Sequence, residues 1–433
     1  MSHSRFIHFG ITLILALVFS NDAFPQPILT LEEAVAEALG DNPQLKAKEA
    51  SVDAYKAKIG VAKSLEEPMA GVEFYQVPLN TAAVDRAMDI DYSLIQKFPF
   101  PGKRSAKKHV AEENYFAEQS SYEVDRLSVQ TKTEHAYHEL YYAERAFSIN
   151  KELQSIFSKL ASSEQAKYTT GKNFSQNFLK SKVELQRLES EAAQLEAKKI
   201  QAQAMLNILR HKNPNEEIHL AELPSQNHPI PSYEELEQRV FQKHPELKMA
   251  GYDAAASKES VSLAKKERAL PDFQLRGTYV QRFGQIDAWT TEAMITIPFL
   301  WGKNRKALQE AQALERESQQ KLLSVQDEKL GSLKEAYARL ESNKKSYELF
   351  KTKVLPNASV ALKSAQAAYE TGAEDFLNYV DTARAFKEAK LETLQAFIDY
   401  HKAITDLKYA VGGEWGEDRG PWTMDHGPKK EGK

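Results

Sequence analysis

The stretch DFQLRGTYVQRF, residues 272–283, decides the fold. In an extended chain Phe273, Leu275, Tyr279 and Phe283 fall on one side, and Gln274, Arg276, Thr278 and Arg282 on the other. A period of two with one apolar and one polar face is the signature of a half-buried strand. A matching stretch stands earlier, where Met88, Ile90, Tyr92 and Leu94 alternate with Asp89, Asp91 and Ser93. Partner strands are expected over about 69–77 and 289–299. The chain therefore has two strand pairs, and each is followed by a very long, charged, helix-forming run.

The two pairs belong to an internal repeat. LEEAVAEALGDNPQLKA, from Leu31, returns as YEELEQRVFQKHPELKM, from Tyr233, with Pro43 and Pro245 202 positions apart. FPFPGKR (98–104) returns as IPFLWGKNR (297–305). YTTGKNFSQNFL, from Tyr168, returns as YETGAEDFLNYV, from Tyr369, 201 positions on. Anchors at a nearly constant offset imply a duplicated half rather than a solenoid of short units. The organisation expected is a first repeat over 29–211, a polar, proline-containing joint over 212–232 and a second repeat over 233–413.

Each repeat reads as helix, two strands, very long helix, tight turn, helix. Thr30 with Glu33 marks a capping box at the first helix, which is expected to run to about Glu66. Pro68 and Pro271 close the leading helices. Lys303 to Tyr369 is one long helical run that Pro356 kinks or restarts. Leu333, Leu340, Tyr347 and Val354 recur every seven residues, as do Leu188, Leu195, Ala202 and Leu209, which predicts coiled-coil-like packing. Gly171 and Gly372 suit sharp turns between antiparallel helices.

Composition narrows the function classes. The 433 residues carry 57 Lys plus Arg against 61 Asp plus Glu, with no basic excess to suit nucleic acid. Cysteine is absent, which excludes disulfides, thiolate metal sites, a cysteine nucleophile and a lipidated cysteine. Residues 1–23 read as a secretory signal: Arg5, then an apolar run over 9–19, then small residues at Ser20 and Ala23. The run is shorter than a transmembrane helix needs. The expectation is an exported chain. The polar tail over 414–433, rich in Gly and Pro, reads as disordered, with Trp415 and Trp422 as docking points.

Four strands cannot close a barrel, and an open sheet cannot sit in a membrane, because its edges expose unpaired backbone groups. Copies must pool strands: two make a filled eight-stranded barrel, three make twelve strands around a lumen. Phe74, Tyr75, Phe98, Phe100, Phe283, Trp289, Phe299 and Trp301 cluster at strand ends, where a membrane barrel carries interfacial girdles. Lys103, Arg104, Lys303 and Arg305 follow the strands and suit either anionic head groups or ordinary solvated helix starts.

The paired openings, the duplicated strand pairs and the turns Tyr168–Gly171 and Tyr369–Gly372, repeated in one order over about 29–413, resemble the TolC-like outer-membrane efflux protein family. That resemblance implies a mainly α fold with a small β part: a homotrimer whose twelve-stranded barrel in the outer membrane continues into a periplasmic helical tunnel. It implies a passive exit duct without enzyme activity or cofactor, served by a periplasmic adaptor and an inner-membrane pump, with outer-membrane lipid around the barrel. FPFPGKR is similar to members that serve heavy-metal exporters. The turns are implied to lie at the periplasmic entrance. Members can hold that entrance shut with a Tyr–Arg–Asp network; here Tyr369 matches the Tyr, but Glu374 and Asn177 occupy the Arg and Asp positions. Asp381 matches a member of an acidic ring, Asn378 replaces another, and Lys180 stands at the first-repeat equivalent of Asp381. Pairing of Asp381 with Lys180 around the mouth is expected.

The alternative reading is a soluble periplasmic coiled-coil scaffold or adaptor. Other chemistry finds no support in the sequence. EHAYHE (134–139) puts His135 and His138 on one helix face, yet neither order of a zincin motif is present, and a solvated helix is expected. GKN after Gly171 lacks the residues of a phosphate loop.

Overall fold

The computed structural model describes residues 28–79, 83–169, 175–223 and 229–415. The expected signal over 1–23, Gly171, part of the joint, and the tail beyond Trp415 lie outside the described residues. The first repeat comprises β1 (Ile28–Leu29), α1 (Leu31–Asp41), α2 (Pro43–Lys63), β2 (Met69–Tyr75), β3 (Asp89–Phe98), α3 (Lys103–Thr169) and α4 (Ser175–Leu209). The joint holds β4 (His219–Leu220). The second repeat comprises α5 (Tyr233–Lys243), α6 (Pro245–Ala269), β5 (Phe273–Arg282), β6 (Ala288–Ile295), α7 (Lys303–Leu349), a five-residue π turn, α8 (Leu355–Thr371) and α9 (Phe376–Val411).

Both repeats open on the same two caps. The Thr30 hydroxyl accepts from Glu33 N at 3.2 Å while the Glu33 carboxylate accepts from Thr30 N at 3.0 Å. Ser232 and Glu235 repeat this capping box at α5. The first helix, expected to be continuous, is instead broken at Asn42. The residue before a proline is driven to extended backbone, and Asn42 (ψ 121°) obeys. Its Oδ1 then accepts from Gln44 N at 2.9 Å, and Pro43, with no N–H to satisfy, starts α2. His244 before Pro245 adopts the same backbone (ψ 121°), and its Nδ1 accepts from Glu246 N at 3.2 Å.

The longest helices differ by one residue. α3 runs unbroken for 67 residues, about 100 Å at 1.5 Å per residue. Its counterpart passes through the π turn Phe350–Val354 just before Pro356. Proline lacks an N–H and crowds the carbonyl four residues back; the wider turn relieves that. The repeat offset is 200 at Phe147/Tyr347 and 201 at Tyr168/Tyr369, so one extra residue lies between them. A π turn takes in one residue more than an α turn, and this one absorbs it. Beyond the inserted residue Ser155 stands where Pro356 does, 201 positions earlier, and α3 needs no such relief.

The strands form one antiparallel sheet in the order β2-β3-β5-β6. β2 and β6 stop earlier than expected, at Tyr75 and Ile295. β1 pairs with β4 in parallel, and the Tyr137 hydroxyl reaches Ala221 O at 3.2 Å, which pins the joint to the first repeat. Apolar clusters lie along the helices: one among α5, α6, α7 and α9, one among α1, α3, α4 and α9, and one near the hairpin tips. Trp415 packs on the first, and Glu414 pairs with Lys408 at 2.6 Å.

Candidate pore wall and entrance

The sheet sorts charge completely. Register aligns Val72, Tyr92, Tyr279 and Trp289 across the four strands, with ring centroids of Tyr92 and Tyr279 6.3 Å apart and those of Tyr279 and Trp289 5.2 Å apart. Phe74, Ile90, Leu94, Phe98, Phe273, Leu275 and Ile295 share that face, and no charged residue does. Every charge within the strands, namely Glu73, Asp89, Asp91, Lys97, Arg276, Arg282 and Glu292, lies on the opposite face. There Arg276 pairs with Glu292 across β5 and β6 at 3.6 Å. The apolar face is bare in the single subunit: Leu94 is 59% and Trp289 78% exposed. So large an exposed apolar surface marks an interaction with a partner or a membrane.

The aromatics singled out from sequence fall at two levels. Phe74, Tyr75, Phe283 and Trp289 lie toward the hairpin turns; Phe98, Phe100, Phe299 and Trp301 lie toward the helices. Tyr75 is on the charged face, opposite Asp89. Of the cations after the strands, Lys103 and Arg104 are spent inside the fold. Lys103 is 4% exposed, with Nζ 2.8 Å from Asp272, whose Oδ1 also accepts from Phe100 N. Arg104 donates to Lys63 O at the end of α2 at 2.8 Å, and Asn304 in the second repeat donates to Glu267 O near the end of α6 at 3.2 Å. The FPFPGKR segment thus locks strand to helix.

At the far end of the helices, two hairpins meet through Tyr369. Its hydroxyl donates to the buried carboxylate of Glu164 and accepts from Lys167 Nζ at 2.9 Å; Lys167 also pairs with Glu164 at 3.1 Å. The ring stacks on Tyr379, 5.4 Å between centroids at 8°. Burial, then the Glu164 contact, raises the Tyr369 pKa above its usual value. Burial opposes charge on Lys167, but the contacts with Tyr369 and Glu164 outweigh it and raise its pKa. Gly372 ends α8 at φ +78°, a conformation that only glycine adopts without strain.

The remaining tip residues take partners within the subunit. Glu374 accepts from Asn378 Nδ2, and Asn378 N donates to the Asp375 cap at 2.8 Å. Within the subunit Asp381 pairs with Arg384 at 3.0 Å, not with Lys180, which is exposed. Arg384 also forks onto Glu184 of α4, and Lys387 donates to Glu191. Tyr168 is half-exposed and Asn177 partly buried. Sequence reasoning missed Glu164, Lys167, Arg384 and Glu184. Helical spacing carried a signal for two of them: Glu164 lies four residues before Tyr168, and Arg384 three after Asp381.

The EHAYHE helix is not solvated. His138 is 1% exposed, and its ring lies 5.6 Å from that of His401 on α9. His135 instead pairs with Asp406 at 2.9 Å. Burial holds the His138 pKa well below the usual value and brings that of His401 down to about 4, so both are neutral at pH 7. Among the described residues no three metal-ligating side chains gather.

Comparison with known proteins agrees with this geometry. Residues 236–413 match the family model described as outer membrane efflux protein. No curated protein matches the chain in sequence. Among solved structures, it resembles a membrane protein from Pseudomonas aeruginosa at TM-score 0.78 and 18% identity, covering 92% of each chain. It resembles the Campylobacter jejuni CmeC outer membrane channel at TM-score 0.76 and 17% identity, covering 90% of this chain and 87% of that one. The open state of the Neisseria gonorrhoeae MtrE outer membrane channel is similar at TM-score 0.74 and 18% identity, over 88% and 89% of the two chains. Residues 236–413 are thus similar to the outer membrane efflux protein family, and the described chain shares the fold of these channel structures.

Proposed function

We propose that this chain is the outer-membrane exit channel of a tripartite efflux system, conducting solutes passively from the periplasm to the exterior. The observation that carries the reading is the sheet: all charge on one face, an exposed uncharged second face, and two unpaired edges, β2 and β6. In lipid such edges must pair. Three copies joined edge to edge supply twelve strands, with the charged face toward a water-filled lumen and the apolar face toward acyl chains. The helices then extend the lumen into the periplasm as a tube, and a periplasmic adaptor and an inner-membrane pump supply substrate and energy.

The tip around Tyr369 is the entrance in this reading. The Tyr369–Glu164–Lys167 contact ties the α3–α4 hairpin to the α8–α9 hairpin of the same subunit, and the Arg384–Glu184 pair ties α9 to α4. Opening the mouth by moving one hairpin outward has to break them. This does the work for which the family's Tyr–Arg–Asp network lacks its Arg and Asp here. Asp381 and Lys180 are both exposed, and Asp381, although paired with Arg384, keeps an accessible carboxylate with which Lys180 of a neighbouring subunit meets it at the constriction.

Fractionation tests the reading. Heat-sensitive trimers in the outer membrane that form ion-conducting channels in planar bilayers are expected. Free periplasmic monomers overturn it in favour of the scaffold.

A further inference from the structure

The repeated turn between strand and long helix has two different fates. In the first repeat the aromatic and basic residues are folded inward: Phe100 stacks on Phe273 at 6.1 Å, Lys103 is buried against Asp272, and Arg104 closes α2. In the second repeat the same positions point out. Phe299, Leu300 and Trp301 are 69%, 59% and 91% exposed. Lys303, Arg305 and Lys306 are exposed directly beside them, with no ion pair among the described residues. Arg305 and Lys306 stand where the first repeat has Ser105 and Ala106, 200 positions earlier. Only Asn304 is spent internally, on Glu267 O and Pro298 O.

Three bulky apolar side chains beside three cations, on one turn, have the composition of a membrane-surface anchor. Aromatic rings settle at the boundary between head groups and acyl chains, and each nearby Lys or Arg is drawn to anionic lipid. The turn continues the uncharged face of β6, where Trp289 and Ile295 are exposed, so whatever covers that face also meets the turn.

We infer that the 299–306 turn is a binding site for anionic phospholipid head groups, at the leaflet nearer the helices. This rests on the outer-membrane channel reading and adds to it: the two repeats of each subunit divide labour. The first-repeat turn locks strand to helix, and the second-repeat turn fixes the depth of the barrel in the bilayer. The leaflet follows from topology, because the turn joins β6 to α7 and so lies at the helix side of the sheet. The alternative cover is a neighbouring subunit, and the test separates the two.

The full chain is extracted from outer membranes in detergent, and native mass spectrometry compares retained phosphatidylglycerol with phosphatidylcholine. Wild type is expected to favour phosphatidylglycerol. K303Q/R305Q/K306Q is expected to lower that preference on the order of a hundredfold, given roughly fivefold for each of three cations near a charged surface. K107Q, at an exposed lysine one turn into α3, is expected to leave it unchanged. In vesicles, brominated phospholipid is expected to quench the emission component that W301F removes. Membrane-embedded trimers without head-group preference, equal loss in K107Q, or an unquenched Trp301 overturn the anchor while leaving the channel reading intact. A wild-type chain absent from the outer membrane overturns both.

Discussion

Tyr369, at the end of α8, donates its hydroxyl to Glu164, which α3 buries one helical turn before the first-repeat tyrosine, Tyr168. The contact joins the two repeats through residues 205 positions apart, and Lys167 closes the triangle. Tyr369→Phe removes the donor and leaves a buried carboxylate with one partner fewer, a cost of about 1–3 kcal/mol at the tip. The expected outcome is a higher open probability and a larger mean conductance in single-channel recordings, with little change in global melting. Because the Tyr369 pKa is raised, the contact is complete below the usual tyrosine range and is lost only as pH climbs above it. Wild-type conductance is thus expected to rise at strongly alkaline pH, and the phenylalanine variant to lack that component.

The Asn42 and His244 caps invite an exchange. His244 caps α6 through an unprotonated Nδ1. Burial lowers its pKa to about 4 from 6.5. A base whose folded pKa is depressed stabilises fully above its unfolded value, and that stability is lost as pH falls toward the folded one. His244 and His401 each contribute up to about 3 kcal/mol that disappears between pH 6.5 and 4. His244→Asn installs the first-repeat cap. Thermal melting is expected to change by no more than about 1 kcal/mol at pH 7 and to show a shallower acid slope; an unchanged slope refutes the assignment.

The π turn holds one inserted residue. Deleting Thr352 together with Pro356→Ile is expected to give a continuous helix and retain outer-membrane trimers. Deleting Ile156 from α3 rotates everything beyond it by about 100°. That turns Glu164 away from Tyr369, and loss of the heat-sensitive trimers on gels is expected. Equal tolerance of both deletions removes the insertion account.

The sheet faces differ in what they accept. Leu275→Lys puts a charge on the uncharged face, at a cost of about 2–4 kcal/mol near the bilayer midplane. Thr278→Lys adds the same charge to the face that already holds Arg276 and Arg282. Urea unfolding from vesicles is expected to separate the two clearly, and similar midpoints defeat the face assignment.

The alternation at 272–283, the capping boxes and the repeat were legible because they are local. A period of two, a Thr-x-x-Glu and a proline each act on neighbouring residues. The break at Asn42 was also local, and went unread because the 3.6 period continues across it. The same short range explains why the Gly372 turn was readable.

The amino-acid order alone therefore determined the elements, their duplication and which strand face is apolar, since each depends on backbone preferences a few residues long. Only tertiary structure decided which partners the polar residues take. Glu164 with Tyr369, Lys103 with Asp272, Arg384 with Glu184, and the burial of His138 against His401 all depend on which elements meet. Side chains of one type are interchangeable to a local pattern. They become distinct only when packing removes water from one and leaves it on another.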